Sequence, residues 1–258
     1  MLSYQHAFHA GNLADVHKHG LLAWMLAYLT RKDKPLSYIE THAGRALYDL
    51  SAPEAVKTGE AARGIARIAD WFDDAPFGRA LAAAHAQGPQ MYPGSPFIAG
   101  ELLRDDDTLT LAELHPQENA ALAEAMLPYP AIVKQIDGFQ LAMSMTPPTP
   151  RRGLLLCDPS YEVKADYATI PDFFAKLHRR WPVGILVLWY PVLVDQRHKP
   201  MITALKAVFP AGIAHEVAFA PARPGHGMVG SGLFVVNAPY GFETAAADMS
   251  KRFLALKG

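Results

Sequence analysis

Gly153-Leu154-Leu155-Leu156-Cys157-Asp158-Pro159-Ser160-Tyr161 is the stretch on which the reading of the fold turns. Five small or apolar residues in a row, too short for a stable helix and lacking polar alternation, suit a strand buried on both faces of a parallel sheet. The run ends in an acid, a proline and an aromatic. Ligands of open α/β sheets bind beyond the carboxyl ends of the strands, so 158–161 stands where a ligand is expected.

Working outward, short apolar and β-branched runs recur at 36–40, 108–112, 131–136, 153–157, 183–189, 212–219 and 231–237, with helical stretches between them. That alternation predicts a parallel α/β sheet. The last two runs are joined by 220–230, rich in proline and glycine and without room for a crossover helix, so they are expected to pair antiparallel. Six strands plus an antiparallel seventh is the pattern of a Rossmann-like class I S-adenosylmethionine-dependent methyltransferase. The interval from Glu40 to Glu113 is more than twice the ~30 residues that a βαβ unit needs. Within it, 59–72 and 77–87 are alanine-rich with helical spacing, and Gly88, Pro89, Pro93, Gly94 and Pro96 punctuate the residues after them. The expectation is one domain over 1–258 with a small helical subdomain inserted after the first strand, at 46–107. Before that strand, 12–29 reads as a helix with Leu21, Leu22, Met25, Leu26 and Leu29 as its apolar stripe.

Composition narrows the class. The chain has 258 residues, 50% hydrophobic and 19% charged, enough to bury a full core. The single Cys157 has no internal partner for a disulfide, the N-terminus lacks a secretory layout, and the longest apolar run, 183–189, is strand-sized. A cytoplasmic protein without a membrane span is expected. A net charge of −1 gives no broad pull on a polyanion, so nucleic acid would have to meet a local patch. Candidate patches are Arg31-Lys32-Asp33-Lys34, Arg151-Arg152, His178-Arg179-Arg180 and Arg197-His198-Lys199; each also reads as an ordinary solvated helix end or loop.

The chemistry suggested by 158–161 is specific. An exocyclic amino group on adenine is a poor nucleophile because its lone pair is delocalised into the ring. A catalyst must draw its hydrogens out of plane. The Asp158 carboxylate and the Pro159 carbonyl can accept both, and Tyr161 can stack on an extruded base. The plainer alternative is a strand-to-loop turn in which Asp158 caps and Pro159 stiffens. At the first strand, Tyr38-Ile39-Glu40-Thr41-His42-Ala43-Gly44 ends in a small-residue turn that lets a cofactor approach the backbone. Glu113 ends the second strand, suiting ribose hydroxyls, and Asp137-Gly138 ends the third, suiting an adenine ring and its amine. Each acid alone equally suits a cap or turn; their succession at strand ends carries the reading.

The N-terminal segment holds His6, His9, His17 and His19 among Tyr4, Asp15 and Lys18. No cysteine or carboxylate falls at a zinc-like spacing, so no metal is expected. Tyr4 suits stacking on a base, and Lys18 suits a phosphate or a cofactor carboxylate.

With these blocks in order, the chain resembles the bacterial 23S ribosomal RNA adenine-N6 methyltransferase family RlmJ. The likeness runs from Met1-Leu2-Ser3-Tyr4 and Phe8-His9-Ala10-Gly11-Asn12 through Thr41-His42-Ala43-Gly44, Tyr92-Pro93-Gly94-Ser95-Pro96 and Glu113-Leu114-His115-Pro116. It continues through Asp137-Gly138-Phe139, 158–162, Trp189-Tyr190-Pro191 and Gly230-Ser231-Gly232, nearly the whole chain. The resemblance implies S-adenosyl-L-methionine as cofactor, held by His19, His42, Ser95, Glu113, Asp137, Gly138 and Asp158. It implies Asp158 as catalytic acceptor, and Tyr4, His6 and Lys18 in the segment that meets the target base. The implied partner is 23S ribosomal RNA before full ribosome assembly, bound by a monomer, with no metal and no membrane.

Two positions depart from the family pattern. The usual D-P-P-Y is Asp158-Pro159-Ser160-Tyr161, and a second glycine usual after T-H-A-G is Ala46. Neither removes a proposed hydrogen-bonding group, so activity is expected to survive with modestly weaker cofactor binding. The competing readings are adenine methylation in DNA, a non-catalytic nucleotide- or RNA-binding module, and a histidine-based metal hydrolase.

Overall fold

A helix nearly buried on all sides opens the fold. In the computed structural model, which describes residues 6–222, 225 and 227–256, α1 spans Leu13–Thr30. Asn12 caps it, its side chain accepting from Asp15 N at 2.9 Å. Val16, Leu21, Leu22, Met25 and Leu26 are buried, and so are Asp15, His17, Lys18 and His19. Burying four titratable side chains of one helix is tolerable only if each finds a partner.

The elements after α1 are β1 (Ser37–Glu40), β2 (Leu47–Asp49), α2 (Pro53–Thr58), α3 (Glu60–Arg63), α4 (Pro76–Gln87), β3 (Met91–Pro93), α5 (Ser95–Leu102), β4 (Thr108–Ala112), α6 (Pro116–Ala125) and β5 (Ala131–Lys134). Next come α7 (Gly138–Met145), β6 (Gly153–Cys157), α8 (Asp166–Arg180), β7 (Ile185–Leu193), α9 (His198–Val208), β8 (Ile213–Ala218), β9 (Met228–Val236) and α10 (Phe242–Ala255). Seven strands form one sheet in the order β5-β4-β1-β6-β7-β9-β8. The pairings from β5 to β7 are parallel, and β9 is antiparallel to both β7 and β8. This is the mostly parallel α/β sheet with an antiparallel last strand expected above. The connections turn back between β1 and β6, so the crevice for a ligand lies over the carboxyl ends of those two strands.

The apolar run of β6 is explained by its two coats. Leu154 and Leu156 enter the core beneath α1 and α5, while Leu155 and Cys157 enter the core beneath α8 and α9. Neither face meets water, so the alternation that marks a half-exposed strand is absent.

Between β1 and β4 the chain differs from a purely helical insertion. Residues 59–72, expected as one helix, form α3 and two short 3-10 turns, Ile65–Arg67 and Ala69–Phe72. The break falls at Gly64, where a Cβ would lie 2.1 Å from the Gly11 carbonyl oxygen, so the backbone of the N-terminal segment passes too close for a continuous side-chain-covered helix. β2 and β3 also pair as a two-stranded antiparallel sheet, with Tyr48 opposite Tyr92. Pro93, read as punctuation, is the last residue of that sheet.

Candidate active site

A cavity of about 600 Å³ lies over the carboxyl ends of β1, β4 and β6, walled by α1 and by Trp189 and Pro191 of β7. Asp158 stands at its base because β6 ends there. Its side chain is 13% exposed and its Oδ2 accepts from Lys18 Nζ at 2.6 Å. Lys18 reaches it from α1, 140 residues away in sequence, and also pairs with Asp15 Oδ1 at 3.2 Å. Burial alone would push the Lys18 ammonium down; the Asp158 and Asp15 carboxylates outweigh it and hold Lys18 above its ordinary value. Asp15 in turn holds His6 Nε2 at 2.8 Å and Gly11 N at 3.0 Å through Oδ2. Burial works against its charge, and His6 and Lys18 hold it well below the usual carboxylate range. Side-chain contacts therefore link His6, Asp15, Lys18 and Asp158 in one line.

The expected cofactor residues gather around the same cavity. His19, almost fully buried, bonds through Nδ1 to Tyr92 OH at 2.9 Å, and burial keeps it neutral. His42 shares a 2.7 Å hydrogen bond with Thr41 Oγ1, and its ring edge meets Phe139; burial pushes it down to about 4 against the pull of Asp158 and Asp137. Ser95 donates to the Glu40 carboxylate. Glu113 accepts from Gly44 N at 2.9 Å and His115 N at 2.8 Å, which ties the turn after β1 to the end of β4. Burial raises its carboxyl above the ordinary value. Asp137 caps α7, accepting from Gln140 N at 2.8 Å. Gly138 has no room for a side chain, since a Cβ would sit 1.8 Å from the Thr41 carbonyl oxygen. Tyr4 lies outside the described residues.

Tyr161 has φ +58°, so the turn after Pro159 enters the left-handed region at a non-glycine residue. Its hydroxyl donates to the Trp189 carbonyl at 2.7 Å and its ring leans on Tyr167 at 4.6 Å between centroids. It is 8% exposed, which leaves a narrow face on the cavity. Ala46 takes φ +67° and is fully buried, its carbonyl accepting from Gly94 N at 2.7 Å. A left-handed backbone is where the glycine expected here from the resemblance would sit without strain.

Three groups were missed in the sequence. Glu40, at the end of β1, is fully buried and bonded by Tyr38 OH at 2.8 Å and by Ser95; burial pushes it up to about 8 against those hydrogen bonds. Trp189 lines the cavity, lies 5.6 Å beneath Lys18 Nζ, and donates its indole N–H to Ser231 Oγ at 2.9 Å. His115 lines the cavity with a buried Nδ1 that has no hydrogen-bond partner among the described residues. A bound nucleoside would supply one, so the residues present fit such a group.

Other expectations fall elsewhere. Arg152 donates to the Leu29 and Lys34 carbonyls and Arg104 to those of Lys32 and Lys34, so the clusters at 31–34 and 151–152 sit together at the amino edge of the sheet, opposite the cavity. Arg197 does line the cavity and is held by Asp195. Cys157 is fully buried, and burial pushes its thiol up. Among the described residues no three His, Cys, Asp or Glu side chains come together as metal ligands, and no helix is long and apolar enough to cross a membrane.

Comparison with known proteins agrees in one direction. A family model described as "Ribosomal RNA large subunit methyltransferase D, RlmJ" matches residues 33–256. The ribosomal RNA large subunit methyltransferase J of Escherichia coli (strain K12) is 42% identical over 252 residues, covering 94% of this chain and 89% of that protein. The protein of the same name from Haemophilus influenzae is 38% identical over 257 residues, covering 96% and 92%. Among solved structures, protein LPL1258 from Legionella pneumophila superposes with a TM-score of 0.85 at 34% identity, covering 95% of this chain and 92% of that one.

Proposed function

The chain belongs to the RlmJ family of ribosomal RNA large subunit methyltransferases, with S-adenosyl-L-methionine as methyl donor, and on that premise we propose that it methylates the exocyclic N6 amino group of an adenine in 23S ribosomal RNA, adenine 2030 by family resemblance. The observation that carries the reading is the Lys18 ammonium on Asp158. An N–H group already donates to Asp158 Oδ2 from the cavity side, so that oxygen is aimed where an amino hydrogen would arrive.

In the proposed mechanism Asp158 and the Pro159 carbonyl accept the two amino hydrogens and pull them out of the ring plane. The N6 lone pair then points across the cavity instead of into the ring. The cofactor supplies an electrophilic methyl group on a sulfonium sulfur. His19, His42, Ser95, Glu113, Asp137, Gly138 and Asp158 would hold it, Glu113 being an acceptor suited to ribose hydroxyls and Gly138 a bare backbone that would admit an adenine ring. Tyr4, His6, Lys18 and Tyr161 receive the target base; the narrow exposed face of Tyr161 suits edge contact as well as stacking. In this reading 1–258 is one methyltransferase domain with 46–107 inserted, acting in the cytoplasm as a monomer on ribosomal RNA before assembly is complete.

The test is transfer of labelled methyl from S-adenosylmethionine to protein-free 23S RNA from cells lacking this gene, beside a DNA control, followed by nucleoside analysis. N6-methyladenosine in RNA is the expected result. Label in DNA, or at another nucleoside, would move the acceptor, and cofactor binding without any transfer would replace the enzyme reading with a binding role.

A further inference from the structure

A second cavity, of about 640 Å³, opens beside the catalytic one and shares Asn12 and Met228 with it as a common wall. Its floor is apolar, with Phe253 buried and Phe219 half-exposed at a centroid distance of 6.3 Å. Arg63 and Arg67, both exposed, stand in its lining from the end of α3 and the 3-10 turn after it. One Arg63 nitrogen donates to the Thr58 carbonyl at 2.8 Å, and among the described residues neither arginine forms an ion pair with a carboxylate. The acid in this lining, Glu60, is turned to other work: Oε1 meets His9 and Oε2 accepts from Asn12.

Two guanidinium groups without carboxylate partners among the described residues, in the same lining as a half-exposed aromatic ring, form a place for a phosphate and an unstacked base. An adenine that reaches Asp158 has left its stack, so the nucleotide bonded to it must run out past the cavity wall. The shared wall at Asn12 and Met228 leads into this groove. A protein of net charge −1 attracts RNA through local patches, and here the patch adjoins the chemistry. We propose that this groove is a subsite for the single-stranded nucleotide flanking the target, its phosphate on Arg63 and Arg67 and its base against Phe219. The inference rests on the reading of Asp158 as the transfer site.

Two variants separate charge from stacking. Arg63→Ala/Arg67→Ala removes both cations from one phosphate, so the slope of log affinity for protein-free 23S RNA against log salt should flatten by about 0.7. From about 50 to about 200 mM salt the wild type should then lose about 2.6-fold more affinity than the variant. KM for RNA should rise with kcat at saturating RNA and affinity for S-adenosylmethionine retained. Phe219→Leu should weaken RNA binding several-fold with the salt slope unchanged. An unaltered slope in the double variant overturns the proposal, as does lost cofactor affinity. Wild type that binds the cofactor and leaves RNA unmethylated would defeat the catalytic reading itself, which the slope does not report.

Discussion

Replacing Asp158 with Asn should cost stability as well as activity, and the two losses separate in a cycle with Lys18→Met. Lys18 is 5% exposed and its ammonium has two carboxylate partners, Asp158 at 2.6 Å and Asp15 at 3.2 Å. Stripping one partner from a buried ion pair costs about 3–5 kcal/mol when nothing else compensates. Asp15 remains, so about 2 kcal/mol is expected for Asp158→Asn, a fall in melting temperature of about 4–8 °C for a chain of this size. Lys18→Met leaves the two acids without their shared cation and should cost about 3 kcal/mol. The double variant should lose about 3 and not about 5 kcal/mol, a coupling of about 2 kcal/mol. Methyl transfer by Asp158→Ala should fall at least about 100-fold, since an acceptor that orients the reacting amine is lost, whereas Asp158→Asn keeps one carbonyl acceptor and should lose less. Thermal unfolding of the four proteins of the cycle, with labelled methyl transfer on wild type, Asp158→Asn and Asp158→Ala, reads the two effects. Wild-type transfer in Asp158→Ala would refute the acceptor role, and stabilities that add within about 0.5 kcal/mol would refute the ion pair.

Acid should destabilise the fold early. Burial holds His17, His19 and His42 below the ordinary histidine value, helped in His17 by His215 and in His19 by Lys18. The unfolded chain takes protons that the folded chain refuses, so each contribution is complete above about pH 6.5 and drains as pH falls, by up to about 1.4 kcal/mol per unit. Glu40, raised to about 8, runs the other way, stabilising at low pH and losing that contribution as pH climbs from 4.5 towards 8. His198 and His215 are held down by burial like the first three, and Glu113 and Asp166 are raised by burial like Glu40; five groups against three leave a net loss on acidification, so the melting temperature at about pH 5.5 should lie below that at about pH 6.5, and an equal or higher value would contradict the assignment. Ala46→Gly relieves a left-handed alanine worth about 1 kcal/mol, partly offset by glycine's freer unfolded state, so its melting temperature should equal the wild type's or exceed it by up to about 2 °C. Ala46→Val should lower it clearly, and a glycine variant less stable than wild type would refute the strain.

The sheet was legible because a strand coated on both faces is an uninterrupted apolar run, as at 153–157, and because the cavity-lining acids Glu113, Asp137 and Asp158 fall where such runs stop. Shorter elements escaped. β2 and β3 are three residues each and one ends in proline, so neither has a period to read. The continuous helix expected over 59–72 fails through contact with residue 11, which no local pattern encodes. The same holds for the site: Asp158 is visible in its own neighbourhood, whereas its pairing with Lys18 joins residues 140 apart. Glu40 reads as the end of a strand, and only the enclosing fold shows that it is buried with Ser95 and Tyr38. Arg63 and Arg67 stand four apart and form no run, so a search for basic clusters passes over them.

The position of β9 bears on how the protein is made. β8 touches the sheet through β9 alone, and β9 lies between β7 and β8. A nascent chain extruded to residue 222 has already released β8 with nothing to pair it and β7 with one edge open. Met228–Val236 then closes both gaps at once and brings Ser231 to the Trp189 indole. Translation must therefore pass residue 236 before this wall of the cavity exists. A message truncated short of that strand would yield a product with an unpaired apolar edge, a substrate for chaperones and proteases and not a weakened enzyme.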